Sequence, residues 1–446
     1  MSDDVAPVET MPSSVVERYL SRASHDGRMV FDITFELERP IDVDRLRESW
    51  IRTMECHPRM HAQLIGKGTH QTWHVGKATP DVLFADVPFD GDTDSNAVPT
   101  PCVRRGAGAI LLHSSNPEWP AIRFRFHHGA CDGVGATRIV GDFLCDLHGI
   151  RHRNSSEDAA NRAAKESVTS GGGPLKIPDL RNTWSTIKGR NVRFDRHVVA
   201  RGSNELMKTA DHEPAPRLIA ADTIATDLTT DNADWLRERL RGGGIPLNDF
   251  AVAAVLRALG DASNDAGSNK TFLMVMNPVH MRHWKDRRST ANHVGFAYVR
   301  RRHDQVHDGL LDSVHQELDS VRQHGTAGEL SWGIGAVEGV PGILPLIERR
   351  GWFTPTASLT CISMLRYGRR YGFDRGAMIG GSPVTRFGIT APIQARGELA
   401  ITIWDIGTEL GWSVRAAAKD VASRDAARQL ALRLRQLSGP QSPLVA

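Results

Sequence analysis

The most informative stretch of the chain is His127-His128-Gly129-Ala130-Cys131-Asp132-Gly133. It ends a segment, residues 121–128, in which Ile122, Phe124 and Phe126 alternate with polar residues. A period of two is typical of a strand with one apolar and one polar face. Helical spacing of apolar residues follows over residues 134–147. The motif is therefore predicted to lie on a strand-to-helix turn, where the strand fixes the position of a side chain and the turn exposes it.

The alternation assigns the two histidines different surroundings. His128 falls on the face of the phenylalanines, whereas His127 shares a face with the arginines of the strand. An imidazole in a partly desolvated place near a helix N-terminus is disfavoured as a cation, so it stays neutral at pH 7 and can accept a proton. We therefore expect His128 to be a general base. Gly133 is expected to allow a tight backbone.

Asp132 has two interpretations at this stage. A carboxylate at the start of a helix is commonly an N-cap. It can also be part of the chemistry of the motif, and a single interior histidine is by itself more often a hydrogen-bonded core residue than a catalyst. Two adjacent histidines with Asp and Gly at these spacings favour the functional interpretation.

Metal and thiol chemistry are less favoured. Two histidine pairs have the i,i+4 spacing of helical zinc ligands: His57 with His61, and His148 with His152. Pro58 interrupts the first pair, and no His-Glu-x-x-His sequence accompanies either, so no metal site is predicted. Nothing in the sequence marks Cys131 as a thiolate of low pKa.

Length and composition exclude several classes of protein. The chain has 446 residues, 40% hydrophobic and 24% charged, which is typical of a soluble globular protein with two domains. The formal charge is 55 − 52 = +3, which does not call for nucleic acid or an anionic membrane. No apolar run approaches the ~20 residues of a membrane span. The N-terminus does not read as a secretory signal, and the five cysteines have no CxxC pair, so we expect reduced thiols and a cytoplasmic protein.

Patterning along the chain predicts an α/β protein with mixed sheets in two halves. The first half, residues 1–150, carries the motif; residues 151–190 are a polar, glycine-rich linker; residues 191–446 form the second half. The predicted strands are 29–37, 60–65, 72–75, 103–112, 121–128, 271–277, 359–365 and 399–405. The predicted helices are 13–23, 42–54, 134–147, 248–259 and 423–437.

The motif His-His-x-x-x-Asp-Gly resembles that of the coenzyme-A-dependent acyltransferase superfamily. This group includes chloramphenicol acetyltransferase, the condensation domains of peptide synthetases, and the wax ester synthase/diacylglycerol acyltransferases. Further similarities in order and spacing cover most of the chain: residues 14–19, 41–46, 57–58, 244–249, and 277–282 followed by Asn292 and Gly295. The plant branch is disfavoured, because residues 371–376 do not match its Asp-Phe-Gly-Trp-Gly motif.

The resemblance implies two chloramphenicol-acetyltransferase-like subdomains packed as a V with a tunnel at their interface. His128 would deprotonate a hydroxyl or amine acceptor, which attacks the thioester of an acyl donor, and Gly133 would leave the approach open. Asp132 would hold the loop through an arginine. Arg282 is the candidate partner because it follows an apolar strand whose counterpart lies near the motif, and Arg59 is the second choice.

The resemblance also implies the partners. No permanently bound cofactor is expected; acyl-CoA or a phosphopantetheinyl thioester on a separate carrier protein would be a co-substrate, with a small-molecule acceptor. Basic clusters at residues 285–288, 300–302 and 366–370 are either contacts for such phosphates or solvated faces. Two alternatives stay open: a wax ester synthase/diacylglycerol acyltransferase, and a condensation-like binding protein without turnover.

Overall fold

The structure is a computed structural model that describes most of the chain. The described residues are 9–22, 28–89, 98–150, 215–264, 272–282, 289–302, 305–340, 342–344, 346, 354–363, 378–394, 397–417 and 420–445. The predicted linker, residues 151–190, and the basic clusters at 285–288 and 366–370 lie outside these residues. The described helices include none that is long and apolar enough to cross a membrane.

The described elements are a mixture of helices and strands, with several strands in succession near the C-terminal end. The strands are β1 Thr10–Pro12, β2 Val30–Leu37, β3 Ala62–Ile65, β4 Thr72–Val75, β5 Phe84–Val87, β6 Ala109–Ser114, β7 Ala121–His127, β8 Arg217–Ala220, β9 Thr223–Asp227, β10 Phe272–His280, β11 Val294–Arg302, β12 Ala357–Ser363, β13 Met378–Ile379, β14 Ser382–Thr390, β15 Leu399–Asp405 and β16 Leu410–Ala416. The helices are α1 Val15–Arg22, α2 Val43–Glu55, α3 Pro80–Leu83, α4 Gly133–Leu147, α5 Thr230–Gly242, α6 Leu247–Asn264, α7 Leu310–His324, α8 Glu329–Glu338 and α9 Val421–Leu437.

A six-stranded sheet in the order β13-β14-β2-β7-β6-β5 carries the motif. The β5–β6 pair is parallel and the other pairs are antiparallel. Strand β7 lies inside this sheet, with His127 opposite Val30 of β2. Its apolar face packs on α2 and α4, where the rings of Trp50, Phe124 and Phe143 are in mutual contact. The end of β7 is thus held by a strand on each side and two helices beneath.

A seven-stranded sheet in the order β11-β10-β12-β15-β16-β9-β8 forms the second half. Strands β10, β12 and β15 are parallel to one another, and the rest pair antiparallel. Helix α6 is apolar nearly all round, with Phe250 and Val255 fully buried, which suits a helix buried between sheet and helices. The predicted α/β class with mixed sheets is confirmed.

Strand β14 crosses between the halves. It belongs to the second half in sequence, yet it pairs antiparallel with β2 of the first half, with Phe387 opposite Phe35. The two rings meet edge to face, with centroids 5.0 Å apart. No strand is predicted from the sequence over residues 382–390, so this crossing was missed.

The structure confirms most of the predicted elements and corrects others. The helix predicted over residues 42–54 is α2, whose N-cap Asp42 accepts from two backbone N–H groups, and the one over 134–147 is α4. The prediction of a strand over 103–112 was wrong at its start, because Val103–Arg105 is a 3-10 turn and β6 begins at Ala109. Pro58 likewise opens a 3-10 turn, so β3 begins at Ala62 rather than Met60.

The polar face of β7 is buried, which the alternation of polar and apolar residues does not show by itself. Arg123 is 0% and Arg125 is 2% exposed. Arg125 donates to both carboxylate oxygens of Asp32 on β2, at 3.0 Å each, and Arg123 donates to the Ile219 carbonyl of β8. Burying these guanidinium groups is tolerated because each has acceptors.

Candidate active site

The motif begins where β7 ends. His127 is the last residue of the strand, and His128 is the first of the turn that leads into α4. The backbone N–H of His128 donates to the Met29 carbonyl at 2.8 Å, which extends the pairing with the chain before β2 by one residue. The ring of His128 meets the edge of Phe31, with centroids 5.7 Å apart, and Phe31 stacks on Phe126. His128 therefore lies on the phenylalanine side, as the alternation predicts.

The tautomer of His128 follows from one hydrogen bond. Its Nδ1 lies 3.1 Å from the Cys131 carbonyl oxygen, and because a carbonyl only accepts, Nδ1 carries the hydrogen. In the neutral ring Nε2 is then the unprotonated nitrogen. Burial lowers the pKa of His128 from its ordinary value, although the Cys131 carbonyl and Asp132 oppose this shift. The side chain keeps partial exposure, so the arrangement presents a neutral base.

His127 has a different environment. It is 2% exposed, and its Nδ1 accepts the backbone N–H of Gly129 at 3.0 Å. Burial, helped by the neighbouring His128, lowers the pKa of His127 to about 4. Its own backbone N–H donates to the Gly108 carbonyl of the loop before β6. These contacts make His127 part of the turn's framework.

Asp132 is both the N-cap of α4 and the ion-pair partner of Arg282. As N-cap of α4 its Oδ1 accepts the N–H of Gly135 at 2.8 Å. It also accepts two hydrogen bonds from Arg282, at 2.7 and 2.8 Å, and the backbone N–H of His293 at 3.0 Å. Burial alone would raise the pKa of Asp132, but Arg282 and these N–H groups hold it below its ordinary value. The cap and the ion pair are thus not alternatives.

Arg282 joins the motif to the second half. Its side chain is 1% exposed. Besides Asp132, it donates through Nε to the Ser289 carbonyl at 3.1 Å and through Nη2 to the Ala291 carbonyl at 2.6 Å. A planar guanidinium suits such divergent, fixed acceptors. The predicted Asp132–Arg282 pairing is confirmed as a contact.

Arg59, the second choice, has another partner. It donates to Glu17 of α1 at 2.6 Å, and its guanidinium lies over the ring of Trp73. The other oxygen of Glu17 accepts from the Trp73 indole at 3.2 Å. Arg59 therefore ties α1 to β4 of a three-stranded sheet, in the order β1-β4-β3, rather than holding Asp132.

The glycines of this turn at which a Cβ would make close contacts are not Gly133, where a tight backbone was expected. A Cβ on Gly135 would lie 2.3 Å from the Thr290 carbonyl oxygen, and one on Gly129 would lie 2.5 Å from Ser21 Oγ. On Gly133, by contrast, a Cβ would lie 3.4 Å from Ile362 Cδ1, close to ordinary contact. Gly133 is also not among the described glycines with positive φ. The tight backbone expected at Gly133 is instead found at Gly129 and Gly135.

Segment 289–293 contacts the motif, and no role was predicted for it from the sequence. Within it the side-chain amide nitrogen of Asn292 donates to the carbonyls of His128 and Gly129, at 2.9 and 3.2 Å. His293 adds its N–H to Asp132. The only signal was the position of Asn292 after the Pro-Val-x-x-Arg segment, which carried no role. These contacts join residues more than 160 positions apart.

The other candidates of the sequence have structural partners. His57 Nε2 lies 3.1 Å from an Asp142 carboxylate oxygen, and His61 Nδ1 donates to the Gly76 carbonyl. Cys131 is buried, and burial raises the pKa of its thiol well above the ordinary value. Among the described residues, no three His, Cys, Asp or Glu side chains are grouped so as to hold a metal.

Comparison with solved structures identifies the fold. The condensation domain of the monacolin K polyketide synthase MokA is 15% identical, with a TM-score of 0.62 over 98% of this chain and 99% of that one. The first condensation domain of the calcium-dependent antibiotic synthetase is 14% identical, with a TM-score of 0.62 over 98% of each chain. The trichothecene 15-O-acetyltransferase TRI3 of Fusarium sporotrichioides is 12% identical, with a TM-score of 0.61 over 95% of this chain and 94% of that one.

These similarities define the class of protein by its fold, which is that of condensation domains and of this acetyltransferase, over nearly the whole chain. The resemblance drawn from the motif is confirmed at that level. No protein-family model matches the sequence, and neither does any curated protein.

Proposed function

We propose that the protein is an acyltransferase of the condensation type, which moves an acyl group from a thioester to a hydroxyl or amine. The observation that carries the proposal is the state of His128. Burial lowers its pKa, its Nδ1–H is engaged by the Cys131 carbonyl, and the residue keeps partial exposure directly after strand β7. A general base needs a free nitrogen on a fixed ring.

In the proposed reaction, Nε2 of His128 takes the proton of the acceptor O–H or N–H. The acceptor then forms a C–O or C–N bond to the thioester carbonyl carbon, the C–S bond breaks, and the thiolate leaves with the proton that the imidazolium returns. Asp132 takes no proton, because its hydrogen bonds go to Arg282 and to backbone N–H groups. It serves instead to hold the turn against the second half.

The donor is proposed to be acyl-CoA or an acyl chain on the phosphopantetheine of a separate carrier protein, bound as a co-substrate. Of the predicted phosphate contacts, only residues 300–302 are described. Arg301 donates to Glu317 at 2.6 Å, and Arg300 lies over the Phe272 ring. These contacts within the protein favour a structural role for residues 300–302. The cluster therefore supports neither acyl-CoA nor a carrier protein as the donor.

The test is an acyl-transfer assay with purified protein. Acyl-CoA and acyl-pantetheine donors from two to sixteen carbons are combined with alcohols, diacylglycerol, amines and amino acids, and thiol release is followed with mass detection of the product. Product that requires His128 supports the proposal. Long-chain alcohol or diacylglycerol products would define a wax ester synthase/diacylglycerol acyltransferase. Donor binding with no turnover across the panel would refute catalysis and define a binding protein.

A further inference from the structure

Asn292 of the second half donates hydrogen bonds directly to the turn that carries His128. Asn292 is 8% exposed, and its amide nitrogen reaches the carbonyl oxygens of both His128 and Gly129. Its Oδ1 is buried and has no hydrogen-bond partner among the described residues. Leaving a buried acceptor unpaired costs free energy. The side chain is therefore held by its donors, and these go to the turn that carries His128.

Three carbonyls of this turn, those of His128, Gly129 and Cys131, accept hydrogen bonds from side chains. The ring Nδ1–H of His128 donates to the Cys131 carbonyl. Asn292 donates to the carbonyls of His128 and Gly129. It thereby holds in place the backbone from which the His128 ring extends to the Cys131 carbonyl. The choice of acceptor sets the orientation of the ring and the nitrogen that stays free.

We propose that Asn292 is a positioning residue for His128: its amide holds the carbonyls of His128 and Gly129 and thereby fixes the ring with Nδ1–H on Cys131 and Nε2 free. Segment 289–293 supports this role, because Arg282 binds the carbonyls of Ser289 and Ala291 on either side of Thr290. The motif turn and this segment thus form one hydrogen-bonded unit. Arg282 and Asp132 are its ion pair, and Asn292 sets the orientation of the His128 ring. The consequence for catalysis rests on the proposed function; the geometry of the ring does not.

The test compares Asn292→Ala with the matched variant Asn277→Ala. Asn277 is a buried asparagine on β10, 1% exposed, with neither side-chain polar atom paired among the described residues. Proteins with isotope-labelled histidine rings are titrated by nuclear magnetic resonance, and the His128 signals are assigned by their loss in His128→Gln. The wild type and Asn277→Ala are expected to show a single neutral tautomer with Nδ1–H. Asn292→Ala is expected to lose it and to show exchange between both tautomers.

In the transfer assay, Asn292→Ala is expected to lower kcat ~10- to 100-fold, as a small misplacement of a reacting group does, with KM within about twofold because no substrate contact is removed. If Asn292→Ala does not fold, Asn292→Ser replaces it, since one hydroxyl can serve only one of the two carbonyls. A folded Asn292 variant that keeps the wild-type tautomer and titration of His128 would overturn the proposal, whatever its kcat. If the wild type transfers no acyl group, the proposed function fails, and the resonance comparison still decides the role of Asn292.

Discussion

Arg282 donates two hydrogen bonds of nearly equal length to Asp132, from Nη2 to Oδ1 at 2.7 Å and from Nη1 to Oδ2 at 2.8 Å. The two residues lie 150 positions apart in the sequence. Both side chains are almost fully buried, at 1% and 8% exposed. The pair therefore connects the motif turn of one half to the second half through two largely buried side chains. Much of what the molecule is expected to do depends on this contact.

The Asp132–Arg282 pair is expected to be strongly coupled. Asp132→Ala and Arg282→Ala should each destabilise the protein by about 3–5 kcal/mol, because each leaves a buried charge unpaired. The double variant should cost less than their sum, by about 1–3 kcal/mol. Denaturant unfolding of the four proteins measures this coupling, and the exposed pair Arg47–Asp44 serves as a control with coupling under ~1 kcal/mol. Additive effects, with a loss of only about 0.5–2 kcal/mol for Asp132→Ala, would reduce Asp132 to a helix cap.

The two histidines of the motif are expected to separate in function. His128→Ala should remove ~10²–10⁴ of the transfer rate and leave the melting temperature nearly unchanged, because the side chain is partly exposed. His127→Ala should lose less activity but lower the melting temperature, since it deprives the Gly129 N–H of its acceptor in a buried place. Circular dichroism melts and the transfer assay measure both. Near-native turnover of His128→Ala on an accepted substrate pair would remove it as the base.

The glycines give a sharp contrast within one turn of helix. Gly135→Ala places a Cβ 2.3 Å from a backbone oxygen of Thr290, so segment 289–293 must move, and we expect a loss of about 1–3 kcal/mol. Gly133→Ala meets only the end of the Ile362 side chain at 3.4 Å and should be tolerated. Unfolding midpoints of the two variants test this order. Equal destabilisation by both would contradict the close packing of α4 against Thr290.

The half-buried carboxyl group of Glu409 is expected to make the stability of the protein depend on pH. Burial raises the pKa of Glu409 to about 7, and Asp227 and Glu36 add to the rise against the opposing charge of Arg217. The unfolded chain ionises this group near its ordinary value of 4.5, so its contribution to stability falls as pH rises between these values and stays low above pH 7. Glu409→Gln should therefore stabilise the protein at pH 8, by up to about 2–3 kcal/mol, and change little at pH 4.5.

The control for Glu409 is Glu38→Gln, since the Glu38 side chain is 58% exposed and should give no such trend. Melting temperatures of both variants and the wild type, taken from pH 4.5 to 8, measure the difference. A Glu409→Gln effect that is the same at both ends of this range would contradict a raised pKa.

Metal removal is expected to leave activity unchanged. The proposed steps need only a base and a thiolate leaving group. Dialysis against a chelator, followed by the transfer assay with and without added zinc, checks this expectation. Activity lost on chelation and restored by zinc would show that a metal takes part.

The local elements around the motif could be predicted from the sequence because each depends on short-range patterning. The alternation of Phe124 and Phe126 marks β7, the cap Asp132 marks the start of α4, and the mixed order of strands and helices gives the class of fold. The same alternation predicts a polar face with Arg123 and Arg125 but not its burial, which follows from pairing with Asp32 and with the neighbouring β8. Periodicity reports that two faces differ, not what covers them.

From the sequence alone one can predict His128 as the candidate base, the side of the strand on which it lies, and the arginine partner of Asp132 as one of two candidates. The folded structure shows in addition that Arg282 rather than Arg59 pairs with Asp132, that β14 of the second half extends the first sheet, and that Asn292 contacts the turn of His128. The physical reason is the range of the interactions. Strand and helix periods act over a few residues, whereas these contacts join residues 150 or more positions apart, and their partners are selected by the packing of the two sheets.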